Sequence, residues 1–309
     1  MSAPTSALQR IGAPVVFVLL WSTGFVGAKY GLPYAEPFTF LALRLALAGA
    51  LLAGLTTVLR SGWPTDRRQA GRAGVAGLLL HAGYLGGVFF AIDSGLPASV
   101  AAVVTSMQPV LTAALATRLL GERLVAVQWL GLVLGVAGVG LVLAPGLAAA
   151  AGEPGAFPPV GVASCLVALV SGTSGTLWQK RHGDDIPLLS GTAVQYGAAA
   201  LALVAAAGAT ESMSIEWTAE FVAALVWLVL PLSLGAVLLL LFLLRRGSAA
   251  GVSSLLYLVP PATAIEAYLL FGEKLALLSL VGVAVTTVGV ALVLRPPGRR
   301  RRERATMGA

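Results

Sequence analysis

One cysteine in 309 residues, Cys165, excludes an internal disulfide and a cysteine-rich metal site. The two histidines lie far apart, His81 in an apolar run and His182 in a loop, so no paired metal site can be drawn and neither metal nor cofactor is expected. Charge is scarce as well. Only 11% of residues are charged against 58% hydrophobic, too little polar surface for a soluble globule of this length. No Gly-x-x-x-x-Gly-Lys-Ser/Thr phosphate loop occurs, so ATP hydrolysis would need another subunit. Asp184-Asp185, the one acidic doublet, falls in a short loop, and no Ser/His/Asp arrangement can be argued, so the chain is not read as an enzyme. The net charge of +7 would suggest nucleic acid if it were gathered on one face. The basic residues instead punctuate apolar runs, which indicates a lipid bilayer and no nucleic acid.

What the chain does have is long apolar segments. About 20 mainly apolar residues cross roughly 30 Å of hydrocarbon. Cutting at charged and Pro/Gly-rich breaks predicts ten spans, near 13–31, 37–59, 72–91, 97–119, 125–144, 159–179, 186–208, 218–243, 248–271 and 275–294. Lys and Arg are retained on the cytoplasmic side. Arg10, Arg60, Arg67, Arg68, Arg72, Arg118, Arg123, Lys180, Arg181, Arg245, Arg246 and the tail from Arg295 share one face of a ten-span arrangement. Lys29 and Lys274 lie on the other with Glu36, Asp93, Glu153, Glu211, Glu216 and Glu220. Both termini are therefore predicted inside, in a multi-pass plasma-membrane protein. The tail "RRRRER" serves either as a topology anchor or as a contact for anionic lipid headgroups.

"LLGERL" at 119–124 returns as "LFGEKL" at 270–275, 151 residues later. The same shift brings Pro109 onto Pro260, Thr112 onto Thr263, Gly131 onto Gly282, Gly138 onto Gly289 and Pro145 onto Pro296; upstream it pairs Gly24 with Gly175 and Lys29 with Lys180. The predicted fold is an all-α integral membrane protein of ten transmembrane helices in two inverted five-helix repeats, because a duplicated unit with an odd number of spans must enter from the opposite side. The repeats cover 13–144 and 159–294, with an inside N-terminus at 1–12, an external linker at 145–158 and a basic tail at 295–309. Inverted repeats of this kind recur in secondary transporters.

Each half ends in a helix with a mid-span proline, a "GE(R/K)L" turn and a Gly-rich last span. With "WSTGFVGAKYG" in the first span, the Arg of "FLALRLAL" in the second and "SMQPVLTAALATRLLGERL" in the fourth, the chain resembles the EamA-type branch of the drug/metabolite transporter superfamily over residues 13–294. The resemblance implies a metabolite carrier, often an exporter, in a bacterial inner membrane with both termini cytoplasmic. It also implies a central cavity bounded by spans 1–4 and 6–9 with spans 5 and 10 as packing helices. An amino acid or other carboxylate is the favoured substrate, with a proton or counter-solute as energising partner. A non-transporting scaffold or receptor and an integral membrane enzyme are the alternatives.

Arg44 is the clearest candidate for substrate contact, since charge within hydrocarbon is costly and so paired or functional. It is either an ion-pair or packing residue, or a cationic contact for a carboxylate or phosphate; its repeat-mate is Gln195. Glu266, whose repeat-mate is Leu115, is a partner for Arg44, a proton or substrate site, or a lipid-interface residue. His81, Trp21, Tyr84, Tyr257, Thr105 and Gln108 complete the candidate substrate contacts, each with packing as the competing reading. Pro109, Pro260 and Pro261 are candidate helix breaks and hinges, or simple kinks. Glu122 and Glu273 are either solvated caps beside Arg123 and Lys274 or a gate engaged inside in one state and outside in the other. "SGTSGT" at 171–176 fits close packing or local unwinding, and Gly131-x-x-x-Gly135 fits a close helix contact, within the chain or in a homodimer.

Overall fold

The computed structural model describes residues 7–119, 124–149, 153, 155–236, 239 and 255–293. The Gly121-Glu122-Arg123 turn, Arg245 and Arg246, the basic tail and the side chain of Tyr257 lie outside the described residues. The described chain is helical without a strand, with one isolated bridge between Ala35 and Ile215. In hydrocarbon only helices and closed barrels satisfy every backbone polar group, so an apolar chain of this kind folds as helices.

The first half runs α1 (Ala7–Gly31), α2 (Pro37–Val58), α3 (Arg67–Asp93), α4 (98–119) and α5 (Ala126–Ala148). The second runs α6 (Pro159–His182), α7 (Leu188–Thr210), α8 (219–236), α9 (Val259–Phe271) and α10 (Leu277–Val293). Among the described residues seven helices are long and apolar enough to cross a membrane, and those within 219–235, 259–271 and 277–293 are shorter apolar helices. Local chemistry sets the starts. Pro37 and Pro159 occupy first-turn positions where a missing N–H costs nothing, and Asp66 caps α3 by accepting the Gln69 N–H at 2.7 Å. That cap explains why α3 begins ahead of the predicted 72.

Corresponding elements start 151 residues apart: α2 and α7 at Pro37 and Leu188, the second segment of α4 and α9 at Gln108 and Val259, α5 and α10 at Ala126 and Leu277. The irregularities recur at nearly the same shift. A π-helical stretch, Leu78–Gly83 in α3 and Leu228–Ala236 in α8, widens the helix in both halves. α4 breaks at Ser106-Met107 between Ala98–Thr105 and Gln108–Leu119, while a 3-10 turn Leu256–Leu258 leads into α9. Pro109 has no N–H for the Thr105 carbonyl, and its ring crowds that carbonyl.

The longest seam is between α5 and α10, followed by α2 against α7; α3 packs on α6, and α8 on α1. Glycines decide the first. A Cβ on Gly131 would lie 2.6 Å from the Gly289 carbonyl oxygen, and one on Gly282 would lie 2.6 Å from that of Gly138. The two backbones thus touch and run antiparallel, and the Gly131 face is used inside the chain. Large apolar side chains such as Val133, Val167, Leu201, Leu269 and Leu277 are exposed on the outside of the bundle, as a lipid-facing surface requires.

Candidate functional site: a cavity with one buried cation at its wall

A cavity of about 660 Å³ occupies the centre, walled by residues of α1–α4 and α6–α9. Its volume suits a small organic molecule. Of the sequence candidates it gathers Trp21, Arg44, His81, Tyr84, Thr105 and Gln108, with Pro109 at the α4 break. Gln195 and Glu266 do not line it. Gln195 stands behind His81, whose Nε2 lies 3.2 Å from Gln195 Oε1. Pro260 is buried at the start of α9 with Pro261 partly buried beside it, both outside the wall.

Arg44 is 5% exposed, yet no carboxylate meets it among the described residues. Its Nε and Nη2 reach only Ser233 Oγ, at 3.4 and 3.3 Å, and its guanidinium carbon lies 6.0 Å from the Phe89 ring centroid. Ser233 in turn donates to the Leu228 carbonyl at 2.8 Å, a five-residue reach that the π stretch of α8 creates. Of the three readings of Glu266, pairing with Arg44 is not what the described residues show: Glu266 Oε1 lies 2.7 Å from Ser22 Oγ, and the two charged residues form no ion pair. Sequence spacing could not reveal this, because Arg44 and Ser233 are 189 positions apart.

The rest of the wall pairs flat apolar faces with fixed dipoles. The His81 ring meets Tyr196 edge-on at 4.7 Å, and Gln108 Nε2 donates to the Gly172 carbonyl at 3.1 Å and to Thr176 Oγ1 at 2.7 Å. Gly172 explains "SGTSGT": α6 passes through it unbroken, and a Cβ there would lie 2.9 Å from the Tyr84 ring, so these glycines serve close packing. Thr112 Oγ1, also in the wall, is buried without a hydrogen-bond partner among the described residues. Tyr196, Ser233, Thr176 and Lys180 line the cavity although sequence reasoning left them out of the site. Lys180 carried a signal, as the repeat-mate of Lys29. Arg44 and Lys180 are the described cations of the wall, and no described acid lines it.

At one end of the bundle α1 and α9 meet α4 in a clamp. Gly272 takes φ +65, the left-handed cap that ends α9, which explains the glycine of the "GE" turn. The cap aims Glu273 away from Lys274 and into the protein. Its carboxylate accepts from Ala98 N at 3.1 Å, Ser99 N at 3.3 Å and Ser99 Oγ at 2.7 Å, and forms an ion pair with Lys29. A solvated cap is therefore ruled out for Glu273, whose side chain is 8% exposed. The first-turn N–H groups of α4, which have no carbonyl partner within the helix, attract the acid. Glu211 caps α2 in the same way through Phe38 N and Thr39 N, at 2.7 and 2.8 Å.

Burial alone would raise the Glu273 carboxyl, but the donors from Lys29, Ser99 and Ala98 outweigh it and hold the group below its ordinary range. A lowered acid stabilises the fold above its ordinary value and loses that contribution as pH falls through the lowered one. The clamp is thus expected to stay closed in mildly acidic medium. Glu273→Gln removes charge-assisted hydrogen bonds worth about 1.5–3 kcal/mol each. Amide exchange at Ala98 and Ser99, measured at equal pH, should rise by roughly tenfold or more in that variant.

The sequence pattern of the EamA-like transporter family matches residues 11–144 and again 159–295. The chain is similar to "Uncharacterized transporter YvbV" of Bacillus subtilis, 28% identical over 89% of this chain and 88% of that one. It is similar also to "Uncharacterized inner membrane transporter YedA" of Escherichia coli, 24% identical over 93% and 90%, and to the "WAT1-related protein At3g02690, chloroplastic" of Arabidopsis thaliana, 28% identical over 90% and 67%. A solved crystal structure shares the fold with a TM-score of 0.60 at 23% identity, covering 91% of this chain and 94% of that one. An apolar helical bundle, a central cavity and a family pattern that matches twice lead to one conclusion: this chain belongs to the EamA-like transporter family and is a multi-pass membrane transporter.

Proposed function

We propose that the chain is a secondary transporter that exports a small carboxylate-bearing metabolite or amphiphile, amino acids included, by alternating access through the central cavity. The observation that carries this reading is the buried guanidinium of Arg44, which meets no acid among the described residues. A charge held at such depth without a protein counter-ion favours a ligand that supplies one. Arg44 would hold the carboxylate, Trp21 and Tyr84 the apolar body, and Thr105 and Gln108 its polar edge.

Ten spans in two inverted repeats account for the 151-residue coincidence of element starts and for the antiparallel course of α5 and α10. With basic loops retained inside, both termini are cytoplasmic in the inner membrane. Pro109 and Pro260-Pro261 then act as matched hinges. Glu273 closes the outer side with Lys29, and Glu122, its repeat-mate, forms the inner gate. Energy comes from a proton or a counter-solute. The Gly131 face is occupied by α10, so a homodimer would use another surface.

Counterflow in proteoliposomes tests the reading. Vesicles are loaded with mixed amino acids and carboxylates, and labelled candidates are offered outside. Uptake that requires the inner pool is expected for at least one anionic solute. Absence of exchange for every anion and every amphiphile would put a non-transporting scaffold ahead.

A further inference from the structure

The seam between α1 and α9 contains a second acid that the cavity does not use. Ser22–Glu266 and Lys29–Glu273 form two rungs with the same residue offset, so the helices run parallel and in register. The rungs are seven residues apart, about 10 Å along the axis. The outer acid has Lys29. The inner acid has a serine.

Hydrogen counting at that serine favours a protonated carboxyl. Ser22 Oγ, fully buried, lies 2.9 Å from the Leu19 carbonyl oxygen and 2.7 Å from Glu266 Oε1. A hydroxyl carries one hydrogen, and a carbonyl can only accept. Both contacts are full hydrogen bonds only if Ser22 donates to Leu19 and the Glu266 carboxyl donates to Ser22. The other oxygen agrees: Glu266 Oε2 is buried with no hydrogen-bond partner among the described residues, tolerable for a neutral acid's carbonyl oxygen and costly for a carboxylate. Thr263 Oγ1, one turn earlier on α9, is also buried without a partner.

No positive charge among the described residues offsets Glu266. On α1 the titratable groups are Arg10, twelve residues before Ser22, Lys29, held by Glu273, and Tyr30, whose ring lies against Phe271. The packed segment 98–105 of α4 and helix α10 carry no acid or base. On α9 itself Tyr268 is exposed, and Glu273, just past the end of the helix, is already engaged.

We propose that Glu266 is a proton-binding site, occupied while the α1–α9 seam is closed and emptied when the seam parts. Losing the proton leaves a carboxylate with an orphaned oxygen between two apolar helices, so the deprotonated protein favours the separated seam, where water reaches Glu266. The proton acts as a ligand of the closed conformation. Because Trp21 and Phe25 of α1 and Val259 of α9 wall the cavity, parting this seam also reshapes the cavity. The coupling of that proton to flux rests on the carrier reading; the site itself does not.

Infrared difference spectroscopy of the full chain in liposomes tests the site without any substrate. A protonated-carboxyl band is expected at neutral pH, lost in Glu266→Gln and moved to the frequency of a weakly bonded acid in Ser22→Ala. Absence of a band that Glu266→Gln removes overturns the proposal, whatever the transport result. Where counterflow is measurable, the wild-type rate should change by up to about tenfold per pH unit across the titration. Glu266→Gln should flatten that response, and a response that survives in the variant overturns the coupling while leaving the carrier reading intact.

Discussion

Replacing Arg44 by Met should abolish measurable flux while leaving the protein folded and at least as heat-stable as the wild type. The two halves of this expectation separate the possible roles of the residue. Truncating one partner of a buried, hydrogen-bonded charge pair costs about 2–5 kcal/mol in binding, which is roughly 30-fold to several thousand-fold in affinity. A carboxylate bound by Arg44 would lose at least that. The unliganded protein, in contrast, holds a guanidinium that is 5% exposed with, among the described residues, only Ser233 Oγ, at 3.3 and 3.4 Å, as hydrogen-bond partner. Replacing a buried charge by an apolar side chain of similar length is often neutral or stabilising. Substrate should raise the melting temperature of the wild type and leave that of Arg44→Met unchanged, since only a ligand that binds the native state shifts it. Arg44→Lys should fall between, keeping charge but losing the planar fork. A drop in stability with transport intact would make Arg44 a structural residue.

The second large effect is expected at the α5–α10 seam. A Cβ on Gly289 would lie 2.5 Å from Gly135 N and 2.7 Å from the Gly131 carbonyl oxygen. These are backbone atoms on a helix and cannot swing aside, so an added methyl must push two helices apart along their whole contact. Overpacking of this kind costs about 1–3 kcal/mol, and helix association in a membrane depends on close packing because lipid supplies no hydrophobic drive between helices. Gly289→Ala should lower the melting temperature in detergent, and Gly289→Val should remove most monodisperse protein from a size-exclusion profile. Gly140, with no atom within 4 Å of an added Cβ, is the control. Gly140→Ala should be neutral or slightly stabilising, by up to about 1 kcal/mol, because alanine loses less entropy in a helix. Equal damage at both positions would show that the seam is not what the glycines protect.

The helices were largely legible because the bilayer imposes a length and an apolar composition that any single segment must meet by itself. The segment predicted at 37–59 is Pro37–Val58, and that at 186–208 is Leu188–Thr210. Boundaries shifted where a side chain extended the helix, as Asp66 does for α3. The π stretches of α3 and α8 left no mark in the apolar pattern, yet they place His81 and Ser233 at the cavity. Of the polar residues that sit mid-span in otherwise apolar runs, Arg44, His81 and Gln108 line the cavity. Tyr196 and Thr176 escaped because nothing local distinguishes a wall-facing side chain from one packed against a neighbour.

What the sequence alone determined is the class of the molecule: helical, membrane-embedded, internally repeated and related to a transporter family. Those properties follow from composition, periodicity and self-similarity, which are local or one-dimensional. Tertiary structure alone decided the partners of the charges. Lys29 and Glu273 are 244 positions apart, as are Ser22 and Glu266, while Arg44 is left with a serine. Glu266 on α9 and Glu273, just past the Gly272 cap that ends the helix, therefore meet different partners, a serine and a lysine. Which partner each acid meets depends on the residue that the facing helix presents in an interior where no water evens out the difference.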